Sequence, residues 1–207
     1  MFTRISLLVL PVAMLALSGC GGSTSSKTAG SAGSAGTAST SAGNGALAAD
    51  AKSAATGDIP DSQNFLTLHE PRLQVSMLYP EGWTVQESGA SGVSITDKNN
   101  LVRIALSRGS APTTAIVDAQ LAALGHSTPG LAHTPSQAIS LKSGAAIKAT
   151  YTTRSAPNPV TGKQVTLTVD RYELWHGGRV AIVDLGTPVG VDNVDAYKRM
   201  IESFKWQ

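Results

Sequence analysis

Apolar and polar residues alternate along most of the chain from Leu73 onward, which is the pattern of half-buried strands. Leu73, Val75, Met77 and Tyr79 occupy every second position before Pro80-Glu81-Gly82 makes a turn. Trp83-Thr84-Val85 begins a second short strand, Val93 and Ile95 mark a third, and Val102, Ile104 and Leu106 mark a fourth. Asp97-Lys98-Asn99-Asn100 lies between the last two and reads as a hairpin turn, because Asp and Asn bond locally and tolerate turn backbone. Ile139 and Leu141 resume the alternation, Ser143-Gly144 turns the chain, and Ile147, Ala149 and Tyr151 continue it. Pro157-Asn158-Pro159 and Thr161-Gly162 predict a longer hairpin loop, followed by the longest strand, over residues 164–175. His176-Gly177-Gly178 is a tight turn into a further strand over residues 180–183.

The longest strand carries an irregularity. Val165, Leu167 and Val169 share one face, whereas Tyr172 and Leu174 fall on the other. A period-two pattern changes phase near Asp170-Arg171 either at a β-bulge or where the two strand ends are buried on opposite faces.

Two segments switch to helical spacing. After Pro112, Thr113 or Thr114 can cap a helix with Ile116, Val117, Leu121 and Leu124 on one face, stopped by Gly125. Near the C-terminus, Asp192 can cap a helix carrying Val194, Tyr197, Ile201 and Phe204. Four strands, a helix, four strands and a helix, joined by hairpins, define an α+β class: an antiparallel sheet covered by two helices. About 145 residues suit one domain with one core.

The N-terminal third has a different composition. Arg4 precedes an apolar stretch over residues 5–17, interrupted by Pro11, and small Ser18 and Gly19 lead to Cys20, the single cysteine. Charge, apolar run and small residues in that order make a secretory signal peptide, too short for a comfortable membrane span. Leu17-Ser18-Gly19-Cys20 resembles the lipobox of bacterial lipoproteins. The resemblance implies removal of residues 1–19, diacylglyceryl on the Cys20 sulfur, and often acylation of its amine. It also accounts for a lone thiol in an oxidising compartment. Two acyl chains anchor stably where a single myristoyl binds reversibly.

Residues 20–60 then form a Gly/Ser/Ala/Thr-rich tether without aromatics. Too little apolar surface is present to offset the entropy of ordering, so a flexible coil spanning about 35 Å over ~40 residues is expected. A short Ala-rich helix over residues 46–55 and O-glycosylation are weaker alternatives. Residues 61–207 hold the folded domain. No second apolar span follows the signal, and the mature chain is close to neutral, without a polybasic face for nucleic acid.

Motifs for catalysis and cofactors are not found in the sequence. No Gly-x-Ser-x-Gly elbow or Ser-x-x-Lys occurs. Thr161-Gly162-Lys163 superficially resembles a phosphate loop, but Pro157 stands where its first glycine belongs and Gln164 replaces the hydroxyl. His69, His126, His133 and His176 lack metal-ligand spacing; His126 and His133 merely flank a Thr-Pro-Gly loop. Asp170, Arg171, Glu173 and Arg154 suggest a cross-strand charge cluster, and Trp83, Tyr172 and Trp175 a cleft lining. The candidate ligand or partner patch is Arg154, Arg171, Tyr172 and Trp175.

Tyr79-Pro80-Glu81-Gly82-Trp83 at the first hairpin, Tyr172-Glu173-Leu174-Trp175 ending the long hairpin, and the closing Ser203-Phe204-Lys205 resemble the PsbP-like superfamily. That superfamily includes a photosystem extrinsic protein, a nuclear Ran-binding family, and bacterial lipoproteins of the DcrB and LpqN kind. The resemblance implies a non-catalytic binding or assembly module in the cell envelope, held on the extracytoplasmic face through Cys20, with an envelope protein or a lipid as partner. A small-molecule or lipid carrier is the alternative, and a cell-wall hydrolase with an unfamiliar site a weaker one. Cys20 has its own test. Metabolic labelling with a fatty-acid analogue should mark the protein and be lost in Cys20→Ala; unchanged labelling refutes the anchor.

Overall fold

A computed structural model describes residues 57–158 and 160–207; Cys20 and most of the tether lie outside the described residues. In chain order the elements are β1 (Phe65–Glu70), β2 (Val75–Pro80), β3 (Thr84–Glu87), β4 (Gly92–Asp97) and β5 (Asn100–Arg108), then α1 (Thr114–Ser127). There follow β6 (Ala132–His133), β7 (Gln137–Leu141), β8 (Gly144–Arg154), β9 (Thr166–His176) and β10 (Arg179–Pro188), α2 (Val194–Glu202) and β11 (Lys205–Trp206). The expected α+β architecture is present.

Hairpin turns make neighbours of consecutive strands. Asp97 pairs with Asn100 across the two-residue Lys98-Asn99 loop, where Lys98 takes a φ of 53°, and Leu141 pairs with Gly144. The resulting main sheet runs β3-β4-β5-β10-β9-β8-β6, with β7 also on β8, and all its pairings are antiparallel. A smaller sheet, β1-β2-β11, stacks over one of its faces.

Alternation sorts the main sheet's side chains into two cores. Val93, Ile95, Val102, Ile104, Val183, Leu185, Tyr172 and Leu174 point to the face covered by the small sheet and α2, where Leu73, Met77, Met200 and Phe204 close the main core. Ile147, Ala149, Tyr151, Leu167 and Val169 point the other way, against Val117 and Leu121 of α1. The two helices therefore lie on opposite faces, and the phase change in β9 is explained. Its ladders to β8 and β10 run without interruption, so no bulge is present. One end of the strand is buried under α1, the other under the main core.

Some local expectations are corrected. α1 starts where Thr113 Oγ1 accepts from the Ile116 amide at 3.3 Å, but it continues past Gly125 and leaves Ile116 43% exposed. In α2 the buried residues are Tyr197, Met200 and Ile201, while Val194 is 71% exposed. β1, β6 and β11 have no counterpart in the sequence reading.

The domain also takes in residues that composition assigns to the tether. Ile59 belongs to the main core, and Gly57 adopts a φ of 104° against the Asn100 amide, where a Cβ would come within 3.2 Å. Asn193, 3% exposed, joins this segment to the rest of the domain. Its Oδ1 accepts from the Ile59 amide at 2.8 Å, and its Nδ2 donates to Gly57 O at 3.1 Å and Thr187 Oγ1 at 2.9 Å. Asn193→Ala leaves several buried groups unpaired and should cost about 2–4 kcal/mol in denaturant unfolding. A loss below ~1 kcal/mol would show that water replaces the network.

Candidate functional site

Arg154, Arg171, Tyr172 and Trp175 do not form one patch. Arg171 and Tyr172 are adjacent in sequence and therefore project from opposite faces of β9. Trp175 lies at the far end of that strand from Thr166, the residue that Arg154 contacts, and donates its indole N–H to Gly109 O at 2.9 Å. Trp83 packs against the main core. The charge cluster divides the same way: Asp170 faces α2, whereas Arg171 and Glu173 face the α1 side. His133 lies beside Thr134 O, and His176 stacks on Trp206 at 5.6 Å between centroids. Among the described residues no three or more His, Cys, Asp or Glu side chains are grouped to hold a metal.

Two arrangements stand out. The first is a cleft of about 350 Å³ between α2 and the main sheet. Tyr172 and Leu185 contribute from the sheet, Ile139 and Leu141 from β7, and Val191, Val194 and Ile201 from α2 and the loop before it. Its polar groups are largely spoken for. Lys148 Nζ is 2.8 Å from Asp170 Oδ2 and 5.4 Å from the Tyr172 ring centroid, and Thr150 donates to Asp170 Oδ1 at 2.6 Å. Tyr197 donates to Gly186 O at 2.6 Å, and burial raises its phenol out of the ordinary range. An apolar cavity with a few converging polar groups is the usual form of a small-ligand site.

The second arrangement is a charged row across the opposite face. Arg103, Asp184 and Arg171 are direct cross-strand neighbours on β5, β10 and β9. Arg171 donates from Nε to Asp184 Oδ1 at 2.8 Å and from Nη2 to Oδ2 at 3.1 Å, while Arg103 donates from Nε and Nη2 to Oδ2. Burial by itself would raise the Asp184 carboxyl, but the hydrogen bonds and charges of Arg171 and Arg103 outweigh it and hold the pKa below the usual value. The Arg171 guanidinium lies 5.4 Å from the Tyr151 ring centroid. Sequence reasoning overlooked Arg103 and Asp184. The available signal was a single charge inside each apolar alternation, Val102-Arg103-Ile104 and Val183-Asp184-Leu185.

Glu173 lies two residues along β9 from Arg171, fully buried, and neither carboxylate oxygen has a hydrogen-bond partner. Burial raises its pKa; the Arg171 charge opposes this, and Asp184 adds to it.

No family model and no curated protein sequence matches the chain. Among solved structures it is similar to cyanobacterial PsbP (CyanoP) from Synechocystis, with a TM-score of 0.52 and 16% identity, covering 73% of this chain and 96% of that one. It also aligns with the Saccharomyces cerevisiae Ran-binding protein Mog1p at a TM-score of 0.46 and 10% identity, covering 69% and 95%. A Bacteroides thetaiotaomicron protein gives 0.44 and 17%, covering 68% of this chain and 48% of that one. The likeness to CyanoP establishes a PsbP-like fold for the described domain.

Glu173 leads to a pH prediction. Its folded-state pKa is raised, so its ionisation disfavours the fold: the penalty is absent below the ordinary carboxylate range and grows as pH rises through the raised value. Glu173→Gln should therefore stabilise the protein at neutral pH, with a gain that shrinks on acidification and vanishes below the ordinary range. Thermal melts of both proteins across pH check this; a pH-independent difference contradicts it.

Proposed function

We propose that this protein is a non-catalytic binding module of the cell envelope, anchored by lipid on Cys20 to the extracytoplasmic face of a membrane. Its ligand site is the cleft between α2 and the main sheet. The observation carrying this reading is the cleft's composition: apolar side chains from three strands and a helix surround about 350 Å³, and the charged lining residues are the paired Lys148 and Asp170 with Lys198 and Glu202 of α2. Such a lining suits an apolar or amphipathic small molecule and offers little to a highly charged one. The cleft thus favours a small-ligand or lipid carrier over a module that only contacts other proteins.

The state of the titratable groups supports a binding role over hydrolysis. Asp170 is engaged by Lys148 and Thr150, and Asp184 by two guanidiniums, so neither is poised as a general base. The tether and the lipid would leave the domain free to turn while keeping it near the membrane, which suits a protein that meets an envelope lipid or another membrane-bound partner.

Native mass spectrometry of the protein extracted from its own membrane should show a reproducible added mass of a small apolar molecule. Val191→Trp, which fills the cleft from a loop, should reduce the loaded fraction at least tenfold without changing the fold. A chain that is always empty, or an added mass indifferent to Val191→Trp, would sink the carrier reading.

A further inference from the structure

The face of the main sheet opposite the α2 cleft is only half covered. α1 packs over β8 and β9, and beside it a groove of about 570 Å³ opens over β3, β4 and β5. Two cationic side chains line it, Lys98 in the β4–β5 turn and Arg103 on β5. Arg154, at the end of β8, borders the groove, but strand alternation turns its side chain to the other face, where it donates to Thr166 Oγ1 at 3.4 Å. No Asp or Glu is among the lining residues. Nearby carboxylates include Asp97, 3.9 Å from Lys98 Nζ; Asp184, fully buried beneath Arg103; and Glu173, buried along β9 from Arg171, where burial favours its neutral form. Asp184 is already shared with Arg171, so the floor keeps a net positive charge.

Arg103 is well placed to present that charge. Its Nε and Nη2 are committed to Asp184, while the side chain as a whole remains 41% exposed. The outer edge of a guanidinium held in this way is oriented in advance, so little rotamer entropy is lost when an oxyanion binds. Hydroxyls of Ser94, Thr96 and Thr153 also line the groove, and Leu124 and Leu131 form an apolar wall at the α1 side.

The geometry points to a second binding site here, for an oxyanion carried on an apolar body: the phosphate or carboxylate pairs with Arg103 and Lys98, and the body lies against Leu124 and Leu131. A cleft lined by one sign of charge focuses its field and concentrates the counter-ion. The apolar wall distinguishes such a ligand from a free inorganic anion. The site is distinct from the α2 cleft and stands whether or not that cleft is occupied.

The test is calorimetric titration of the full chain, in a nonionic detergent, with butyl phosphate and with pentanoate. Butanol, butyltrimethylammonium and inorganic phosphate serve as comparisons. At least one of the two anions should bind, and which one does so distinguishes a phosphate from a carboxylate ligand. Affinity should fall with salt. It should drop at least tenfold in Lys98→Glu and less in Lys98→Gln, with melting temperatures close to the parent's. Methyl resonances of Leu124 and Leu131 should shift on binding. The proposal is overturned if neither anion binds, if a comparison compound binds as tightly, if charge reversal leaves affinity unchanged, or if Leu141 and Leu185 shift instead.

Discussion

The main sheet depends on one buried carboxylate. Asp184 sits at the centre of β10 with no exposed surface, and a carboxylate in that position is tolerated only when paired and hydrogen-bonded. Both partners come from the adjacent strands at directly opposed positions, Arg103 on β5 and Arg171 on β9. Sliding either strand by one residue would carry its arginine to the other face and bring an apolar residue beside the charge. Such pairs contribute little net stability, because desolvation offsets much of the attraction. Their stronger effect here is on register: alternatives that strand Asp184 are costly, so three central strands are locked together.

That register determines what each face of the sheet can do. With Arg103, Asp184 and Arg171 on one side, their neighbours of opposite parity, Ile104, Leu185 and Tyr172, must point to the other. One face becomes a polar floor beside α1, and the other becomes the apolar wall of the cleft under α2. The same parity explains why the residues singled out from sequence do not assemble. Arg171 and Tyr172 look like one patch when read along the chain, and a single peptide unit separates them by the thickness of the sheet.

Much of the fold was legible because burial is one-sided over most strands. Val93 with Ile95, and Val102 with Ile104, alternate cleanly since only one face is covered there. The phase change in β9 was legible too, but its cause was not. A bulge and a change of covered face leave the same pattern in one strand, and only the unbroken ladders to β8 and β10 separate them. Ile116 and Val194 were misplaced because an apolar residue near a helix start can face solvent without disturbing the stripe that carries the packing. Long-range polar contacts were beyond reach: Asn193 and Gly57 are separated by 136 positions, and neither has a local reason to be a partner of the other.

Asn193 also links the α2 cleft to the start of the domain. It lines the cleft, stands at the N-terminal end of α2, and holds Gly57 and Ile59 through opposite ends of one amide. The charged row makes the sheet a poor conductor of movement, since its strands cannot slide without breaking buried ion pairs. The α2 end is built differently. Its contacts to residues 57–59 are neutral hydrogen bonds, individually worth about 1 kcal/mol. A ligand in the cleft therefore meets a rigid wall on the sheet side and a softer one at Asn193, where α2 and the first described residues of the chain converge. Any adjustment that such a ligand requires is cheapest there.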